Sequence, residues 1–202
     1  MSPDYLQSRV AVDAVIFSID DGKLKLLLHE REKEPFEGLA ELPGGLLLTS
    51  EAAEDAMMRK LTELIGTNKV FFQQFHTFSD LNRDPRGRAI SIGFIALVSS
   101  DYVDSNWFDS AKLLKMAFDH SSIVKEALSY LKKNISSLIV QQFLPNEFPL
   151  NKLQDAYELI EGVKYDNRNF RKKMISSGIV KETGSLEINV SHRPAKLFKF
   201  VN

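Results

Sequence analysis

The stretch that decides the fold is GLLLTSEAAEDAMMRKLTELIG, residues 45–66. It is rich in Ala, Met and Leu, which favour helix. Ser50 stands where a helix N-cap belongs, and Gly66 follows the last apolar residue, where a helix stops. The sequence therefore predicts a helix over residues 50–65.

Four positions near the end of this helix share one face. Positions 59, 60, 63 and 64 are one, three or four residues apart, so their side chains lie close together. They carry Arg59, Lys60, Glu63 and Leu64.

The spacing resembles the Nudix box, G-x5-E-x7-R-E-U-x-E-E-x-G-U, where U is a large aliphatic residue. The positions that match in register are Gly45, Glu51, Arg59, Leu61, Glu63 and Gly66. The resemblance implies an α/β/α sandwich that binds a nucleoside diphosphate linked to another group. In active members of that family, Mg²⁺ assists hydrolysis of the pyrophosphate.

Two of the three metal-binding glutamates of the box are absent. In active members, glutamates at positions 60, 63 and 64 hold Mg²⁺ through hard oxygen ligands, and the ions activate water. Lys60 and Leu64 replace two of them here. The Lys60 ammonium would either hold a ligand phosphate directly or pair with Glu63 or Glu54 on the helix surface. We expect no intact catalytic set, no metal beyond a weak site at Glu63, and no cofactor. Mg²⁺ would be needed only if hydrolase activity remains.

Arginines and glycines outside the helix are further candidate ligand contacts. Arg31 matches the arginine that often ends the second strand of Nudix domains. Glycines before the helix let backbone N–H groups approach a phosphate at its positive end. Guanidinium groups suit phosphate and ribose oxygens, although each arginine would otherwise be a solvated loop charge. The predicted effector-binding residues are Arg31, Gly44, Gly45, Lys60, Glu63, Arg86 and Arg88.

The pattern of apolar residues predicts two domains and an α+β fold class. Strands are predicted over residues 8–17, 23–28, 70–78 and 89–98, and a second helix over 119–134. Beyond Leu144, two helices (150–160 and 167–175) and two short strands (179–180 and 197–200) have the outline of a winged helix-turn-helix. We predict a Nudix-like effector-binding domain with a mixed sheet over residues 1–144. A small DNA-binding domain would occupy residues 145–202.

The C-terminal segment is basic, with a net charge of +3 from Pro145 onward against −4 for the preceding residues. A basic segment on an acidic body favours a polyanionic partner. On the second helix, Phe170 and Met174 would face the core. Asn and Arg read base edges, and Lys and Arg neutralise phosphates, although such a helix can also be plain surface. The predicted DNA-binding residues are Asn167, Arg168, Asn169, Arg171, Lys172, Lys173, Arg193 and Lys196, with Lys181 also on the wing.

Several motifs make the chain similar to the Nudix-related transcriptional regulators of bacteria. They are Phe78-Ser79-Asp80, residues 83–88, Ala117-Phe118-Asp119-His120, residues 168–173 and Arg193-Pro194-Ala195. The resemblance implies a repressor of NAD or sugar metabolism genes whose effector is ADP-ribose or a related nucleotide or sugar. We expect a homodimer on double-stranded operator DNA. The alternative is an active hydrolase of the ADP-ribose pyrophosphatase type with a C-terminal accessory domain.

The cysteine content, the length of the apolar runs and the histidine spacing narrow the possible sites and partners further. The chain contains no cysteine, which excludes disulfides and thiolate metal sites and fits the reducing cytoplasm. Its apolar runs are shorter than the roughly 18 residues of a membrane helix, so we expect no membrane partner. His76, His120 and His192 form no pair at ligand spacing and are assigned no catalytic role.

Overall fold

The structure is a computed structural model that describes residues 7–104, 106–112, 115–135, 137–188, 191 and 193–201. His192, residues 1–6 of the predicted first domain and residue 202 of the predicted second domain therefore lie outside the described residues. The main sheet is mixed and has the order β6-β7-β1-β2-β8, with β5 also paired to β1. Its strands are β1 (Arg9–Asp20), β2 (Lys23–Leu27), β5 (Gly44–Leu46), β6 (Phe71–Phe78), β7 (Ala89–Leu97) and β8 (Trp107–Asp109). A separate pair is formed by β3 (His29–Glu30) and β4 (Ala40–Glu41).

The central strand β1 is covered by a helix on each face. Val12 and Ile16 are buried with α1 (Ala53–Ile65), whereas Val15 and Phe17 are buried with α2 (His120–Lys133). Side chains alternate across a strand, so a continuous apolar run is what a strand between two helices needs. Strand β7 lies parallel to β1 and shows the same two-sided burial. The predicted α/β/α sandwich with a mixed sheet is confirmed.

Helix α1 begins later than the sequence predicts. Its N-cap is Ala52, whose N–H donates to a carboxylate oxygen of Asp55 at 3.2 Å. Ser50 lies in the preceding turn, where Glu51 accepts a hydrogen bond from the N–H of Leu48. The helix ends as predicted at Gly66, whose φ of 76° is the left-handed conformation that favours glycine.

The C-terminal part has the predicted winged-helix order. Its elements are α3 (Ser137–Val140), β9 (Phe148–Pro149), α4 (Leu150–Glu161), α5 (Asn167–Ser176), β10 (Val180–Leu186) and β11 (Lys196–Phe200). The three strands form a sheet in the order β10-β11-β9. Strand β9 is not predicted, because two residues are too few to show a periodicity. Both predicted helices and both predicted strands of this part are present.

One apolar core joins the two parts. Leu131 of α2, Leu153 and Ile160 of α4, and Phe198 of β11 belong to the same cluster of buried side chains. The predicted boundary after Leu144 therefore falls in a connection rather than in a gap between cores, and it stays a prediction. No helix in the described part of the chain is both long and apolar enough to cross a membrane.

We predict that Leu131→Ala lowers the free energy of unfolding by about 2–5 kcal/mol, because it opens a cavity in the shared core. Leu131 is 1% exposed. Leu81→Ala is the matched control: Leu81 is 74% exposed, and its truncation should change stability by about 0.5 kcal/mol or less. Denaturant unfolding of both variants checks this, and equal stabilities would contradict it.

Candidate functional site

A cavity of about 360 Å³ lies between β1, β5, the outer face of α1 and the loop that precedes β7. All the predicted effector-binding residues except Arg88 line it. Its charged lining balances, with four cations against four carboxylates: Arg31, Lys60, Arg83 and Arg86 against Asp13, Glu41, Glu63 and Asp84. A ligand here meets directed polar groups rather than a large net charge.

Arg31 and Arg86 both lie against the ring of Phe118. The Cζ atom of Arg31 lies 4.7 Å from the ring centroid, and that of Arg86 lies 5.1 Å from it. Arg31 donates through Nη1 to Glu41 at 2.8 Å and through Nε to the carbonyl of Pro35. Both guanidinium groups are therefore held in defined positions on the cavity wall.

Arg86 is anchored by a bidentate contact with Asp84. Its Nε and Nη2 atoms donate to the two carboxylate oxygens at 3.0 and 2.8 Å. These bonds raise the pKa of Arg86 and lower the pKa of Asp84 from its usual value. The Asp84 carboxylate also accepts from the N–H of Arg86 and from Arg9, so it organises the loop.

A buried network centred on Asp13 supports the floor of the cavity. Its carboxylate accepts hydrogen bonds from Ser91 and from Arg83, and Arg83 also donates to Asp119 at 2.7 and 2.9 Å. His120 lines the cavity with its Nε2 atom 3.7 Å from Asp13, and its Nδ1 accepts from the N–H of Leu42 at 2.9 Å. His120 thus fixes the cavity wall.

Sequence reasoning missed this network, together with Phe118, as parts of the site. One signal was available: Asp13 interrupts an otherwise apolar strand. A carboxylate in a strand that is covered on both faces needs a partner, because an unpaired buried charge is costly. The partners themselves come from other loops and carry no local signal.

The glycines line the cavity for a different reason than expected. Gly44 and Gly45 lie in β5, paired with Asp13 and Val12 of β1, and residues 46–52 separate them from α1. A Cβ atom on Gly44 would lie 2.4 Å from the carbonyl oxygen of Val12. Glycine is needed there for close strand pairing, which corrects the expectation that it presents N–H groups at the start of the helix.

Arg88 is not among the residues that line the cavity. Its Nη1 atom donates to the carbonyl oxygens of Ser79 and Asp80 at 2.8 and 2.9 Å. The guanidinium therefore ties the end of β6 to the start of β7. The structure thus does not bring Arg88 together with the other predicted effector contacts.

Two matching glutamates of the box, Glu51 just before α1 and Glu63 on α1, are both held by cations. Arg59 donates to Glu51 at 2.7 and 3.1 Å, and Lys60 donates to Glu63 at 2.8 Å. These bonds lower the pKa of Glu51 and of Glu63. Lys60 thus forms the surface pair that the sequence left as one of two alternatives, while still lining the cavity.

A second polar surface is formed by α5. Phe170 and Met174 are buried, as the sequence predicts. The six predicted contacts on this helix are all exposed: Asn167, Arg168, Asn169, Arg171, Lys172 and Lys173. Among the described residues, the side chains of Arg168, Lys172 and Lys173 have no hydrogen-bond or ion-pair partner.

The predicted DNA contacts also include Arg171 of α5, which contacts the sheet, and three residues on the wing. Arg171 lies with its Cζ atom 5.5 Å from the Phe198 ring, which directs it towards the β-sheet side of the helix. Lys196 is exposed and pairs with Glu182 across the two long strands at 2.8 Å. Arg193 and Lys181 are also exposed. Wing and helix therefore both present cations to the solvent.

The turn between α4 and α5 is built on one carboxylate. Glu158 is buried and accepts hydrogen bonds from Gln154, from Lys164 and from the N–H of Tyr165. These bonds lower its pKa to about 2. At the end of the turn, Asp166 caps α5 by accepting from the N–H of Asn169 at 2.9 Å. Together they fix the angle at which α5 leaves α4.

Comparison with known proteins identifies both parts. A model of the NUDIX domain matches residues 7–127, and a model of the NrtR DNA-binding winged helix domain matches residues 140–200. The chain belongs to the Nudix family. It does so as a member that also carries an NrtR-type winged helix.

Relatives of this Nudix chain include regulators and a hydrolase. The "ADPR responsive transcriptional repressor NtrR" of Acinetobacter baylyi is 32% identical over 98% of this chain and 84% of its own length. An ADP-ribose pyrophosphatase of Methanocaldococcus jannaschii is 35% identical over 62% of this chain and 76% of its own. The structure of Shewanella oneidensis NrtR complexed with a 27mer DNA has a TM-score of 0.84 and 29% identity, covering 95% and 93% of the two chains.

A divalent metal does not fit the Nudix box of this chain. Lys60 places its ammonium beside Glu63, Leu64 offers no ligand, and Glu51 is engaged by Arg59. Within the described ranges no group of three His, Asp or Glu side chains is arranged to hold a metal ion. Where a Nudix box would bind a divalent cation, this chain has the side-chain ammonium of Lys60.

We predict that the stability of the winged helix falls as the pH drops from about 4.5 towards 2. The pKa of Glu158 is lower in the folded chain, so its contribution is complete above the unfolded value and is lost as the pH falls through the folded one. Glu158→Gln should weaken the turn at neutral pH and flatten this part of the profile. Asp155→Asn, at an exposed position of the same helix, is the control. Thermal melts between pH 2 and 7 check it, and identical profiles would contradict it.

Proposed function

We propose that this chain is a transcriptional repressor that binds double-stranded operator DNA and responds to ADP-ribose or a related nucleotide or sugar metabolite. The genes it controls would be those of NAD or sugar metabolism. The observation that carries the proposal is the exposed, unpaired basic face of α5, in a chain similar over 98% of its length to an ADPR responsive repressor.

DNA binding follows from the geometry of α5. A helix-turn-helix places its second helix in the major groove, with the N-terminal residues of that helix nearest to the base edges. Asn167, Arg168 and Asn169 occupy that end, and Lys172 and Lys173 follow where phosphates lie. The Shewanella relative was solved in complex with DNA, which supports DNA binding as the role of this domain. We further propose that a homodimer binds two half-sites, since such modules act as symmetric pairs.

Effector binding follows from the cavity. Its volume lies in the range of small-molecule sites, and its wall carries guanidinium groups anchored through one edge. The Nudix domain of Shewanella NrtR, solved with ADP ribose, is 30% identical with a TM-score of 0.56 over 65% of this chain. That likeness and the cavity lining support ADP-ribose as the first ligand to test.

We infer that hydrolysis is impaired. The rival function, an ADP-ribose pyrophosphatase, draws support from the Methanocaldococcus relative. It needs a metal at the glutamates of the box, and only Glu63 remains of the three, paired to Lys60. A side-chain ammonium can bind a phosphate oxygen, but it does not lower the pKa of a bound water as a divalent metal does.

We predict that the purified chain binds ADP-ribose without Mg²⁺ and turns it over negligibly with Mg²⁺ or Mn²⁺. The double substitution Lys60→Glu with Leu64→Glu restores the carboxylates and should make binding metal-dependent, with some hydrolysis. The single change Leu64→Glu, which keeps the ammonium, is the matched control. Phosphate-release assays and calorimetry with and without metal check this. Robust Mg²⁺-dependent turnover by the unmodified chain would contradict the repressor proposal in favour of the hydrolase.

We predict that Arg168→Ala or Asn169→Ala relaxes sequence preference, costing about 1–3 kcal/mol at one base pair. Lys172→Ala should weaken all sequences alike and reduce the salt slope by about one. Lys33→Ala, an exposed lysine on a Nudix-domain loop, is the control. Anisotropy titrations on the promoter of the protein's own operon, at several salt concentrations, measure these effects.

The same anisotropy titration, repeated with ADP-ribose, tests whether the effector changes DNA binding. ADP-ribose should change the affinity for promoter DNA, and DNA should change the affinity for ADP-ribose by the same factor, because coupling is reciprocal. A chain that prefers its own promoter no more than random DNA, with or without ADP-ribose, would overturn the proposed function.

A further inference from the structure

Phe118 has a backbone conformation that bulky residues rarely adopt. Its φ is 51°, and Phe36, whose ring contacts it, has a φ of 76°. The two rings meet edge-to-face with centroids 4.9 Å apart. Unfavourable dihedrals persist only where the surroundings hold them, and they concentrate at ligand-binding positions. The backbone at both residues is therefore shaped to bring these rings together at the cavity.

Two guanidinium groups from separate loops lie against the Phe118 ring. Arg31 follows β3, and Arg86 precedes β7. Both Cζ atoms lie within 5.1 Å of the same centroid. The negative face of an aromatic ring attracts a cation, and Glu41 and Asp84 are the carboxylate partners of the two arginines. Ring and carboxylates together therefore hold both guanidinium groups at the cavity wall.

Each guanidinium is anchored by only part of its donor set. Arg31 uses Nε and Nη1, and Arg86 uses Nε and Nη2. In the part of the chain that the structure describes, Nη2 of Arg31 and Nη1 of Arg86 have no acceptor. The bonded N–H groups hold each guanidinium in place, and the N–H groups left on Nη2 of Arg31 and Nη1 of Arg86 are donors that suit phosphate oxygens. Two such groups at one ring can serve two linked phosphates.

We propose that Phe118 is a positioning residue that holds Arg31 and Arg86 as a clamp for the diphosphate of the effector, and so sets a preference for diphosphates over monophosphates. The inference rests on the proposed function for the identity of the effector, although the clamp itself requires only a diphosphate. Because the charges of the lining balance, this preference comes from the direction of the N–H donors rather than from net charge. Phe118 touches the ligand-binding groups and need not touch the ligand.

The experiment is a double-mutant cycle on the full chain, read by calorimetry with ADP-ribose, AMP and inorganic pyrophosphate. Its members are Phe118→Leu, Arg86→Lys and the double variant, since lysine keeps the charge of Arg86 but lacks the planar fork. Phe118→Tyr keeps the ring. Phe108→Leu is the matched control, because Phe108 is 38% exposed on β8 and is not among the residues that line the cavity.

We expect Phe118→Leu and Arg86→Lys each to weaken ADP-ribose and pyrophosphate about tenfold, which corresponds to about 1.4 kcal/mol. The double variant should bind no more weakly than about the weaker single one, since each change disables the same clamp. AMP should lose far less, so the ratio of the two affinities falls. Phe118→Tyr should bind within about threefold of the unmodified chain, and Phe108→Leu should bind like it.

Other outcomes separate the two proposals. Additive losses, or equal losses for AMP and ADP-ribose, would show that Phe118 only packs, and would overturn the clamp. If the chain binds pyrophosphate but not ADP-ribose and the cycle is non-additive, the clamp stands and the proposed effector falls. Binding of neither overturns both. Should Phe118→Leu fail to fold, Phe118→Met replaces it in the cycle, since it keeps the volume without the ring.

Discussion

The buried carboxylate of Asp13 is the interaction on which the site depends. It lies in the central strand, where an unpaired charge would be costly, and hydrogen bonds from Ser91 and Arg83 satisfy it. Arg83 extends the pairing to Asp119, directly before α2. One charge in β1 thus ties β7, the arginine-bearing loop and the start of α2 together. Without it, three walls of the cavity would have no common anchor.

Ion pairs also hold the other charged groups of the cavity wall. Arg31, Lys60 and Arg86 each have a carboxylate partner of their own, so the site is assembled from ion pairs rather than from a metal and its ligands. Such a wall holds its shape without an exogenous ion. The N–H groups that these ion pairs do not use remain available to a ligand, and they point in fixed directions. Geometry therefore decides what such a site accepts, with net charge playing a small part.

The periodic parts of the chain could be predicted because their cause is local. Strand β1 is an apolar run interrupted by Asp13, α5 buries Phe170 and Met174 four residues apart, and Gly66 ends α1. The site could be predicted only in part. Arg31 and Arg86 carry chemistry that can be read from residue type, but the role of Phe118 depends on which loops meet in three dimensions. Short elements such as β9 exist only because β11 pairs with them, and no local signal reports that.

Helix α2 contacts the cavity wall at one end and shares a core with the winged-helix part at the other. At its first turn, His120 accepts from the cavity wall at Leu42, and Asp119 just before it holds Arg83. Towards its other end, Leu131 shares the core with α4, the helix whose turn through Glu158 sets the angle of α5. A helix is a stiff element, and a close-packed core transmits displacement rather than absorbing it. The cavity and the basic face of α5 are therefore joined through the packed side chains of α2 and α4.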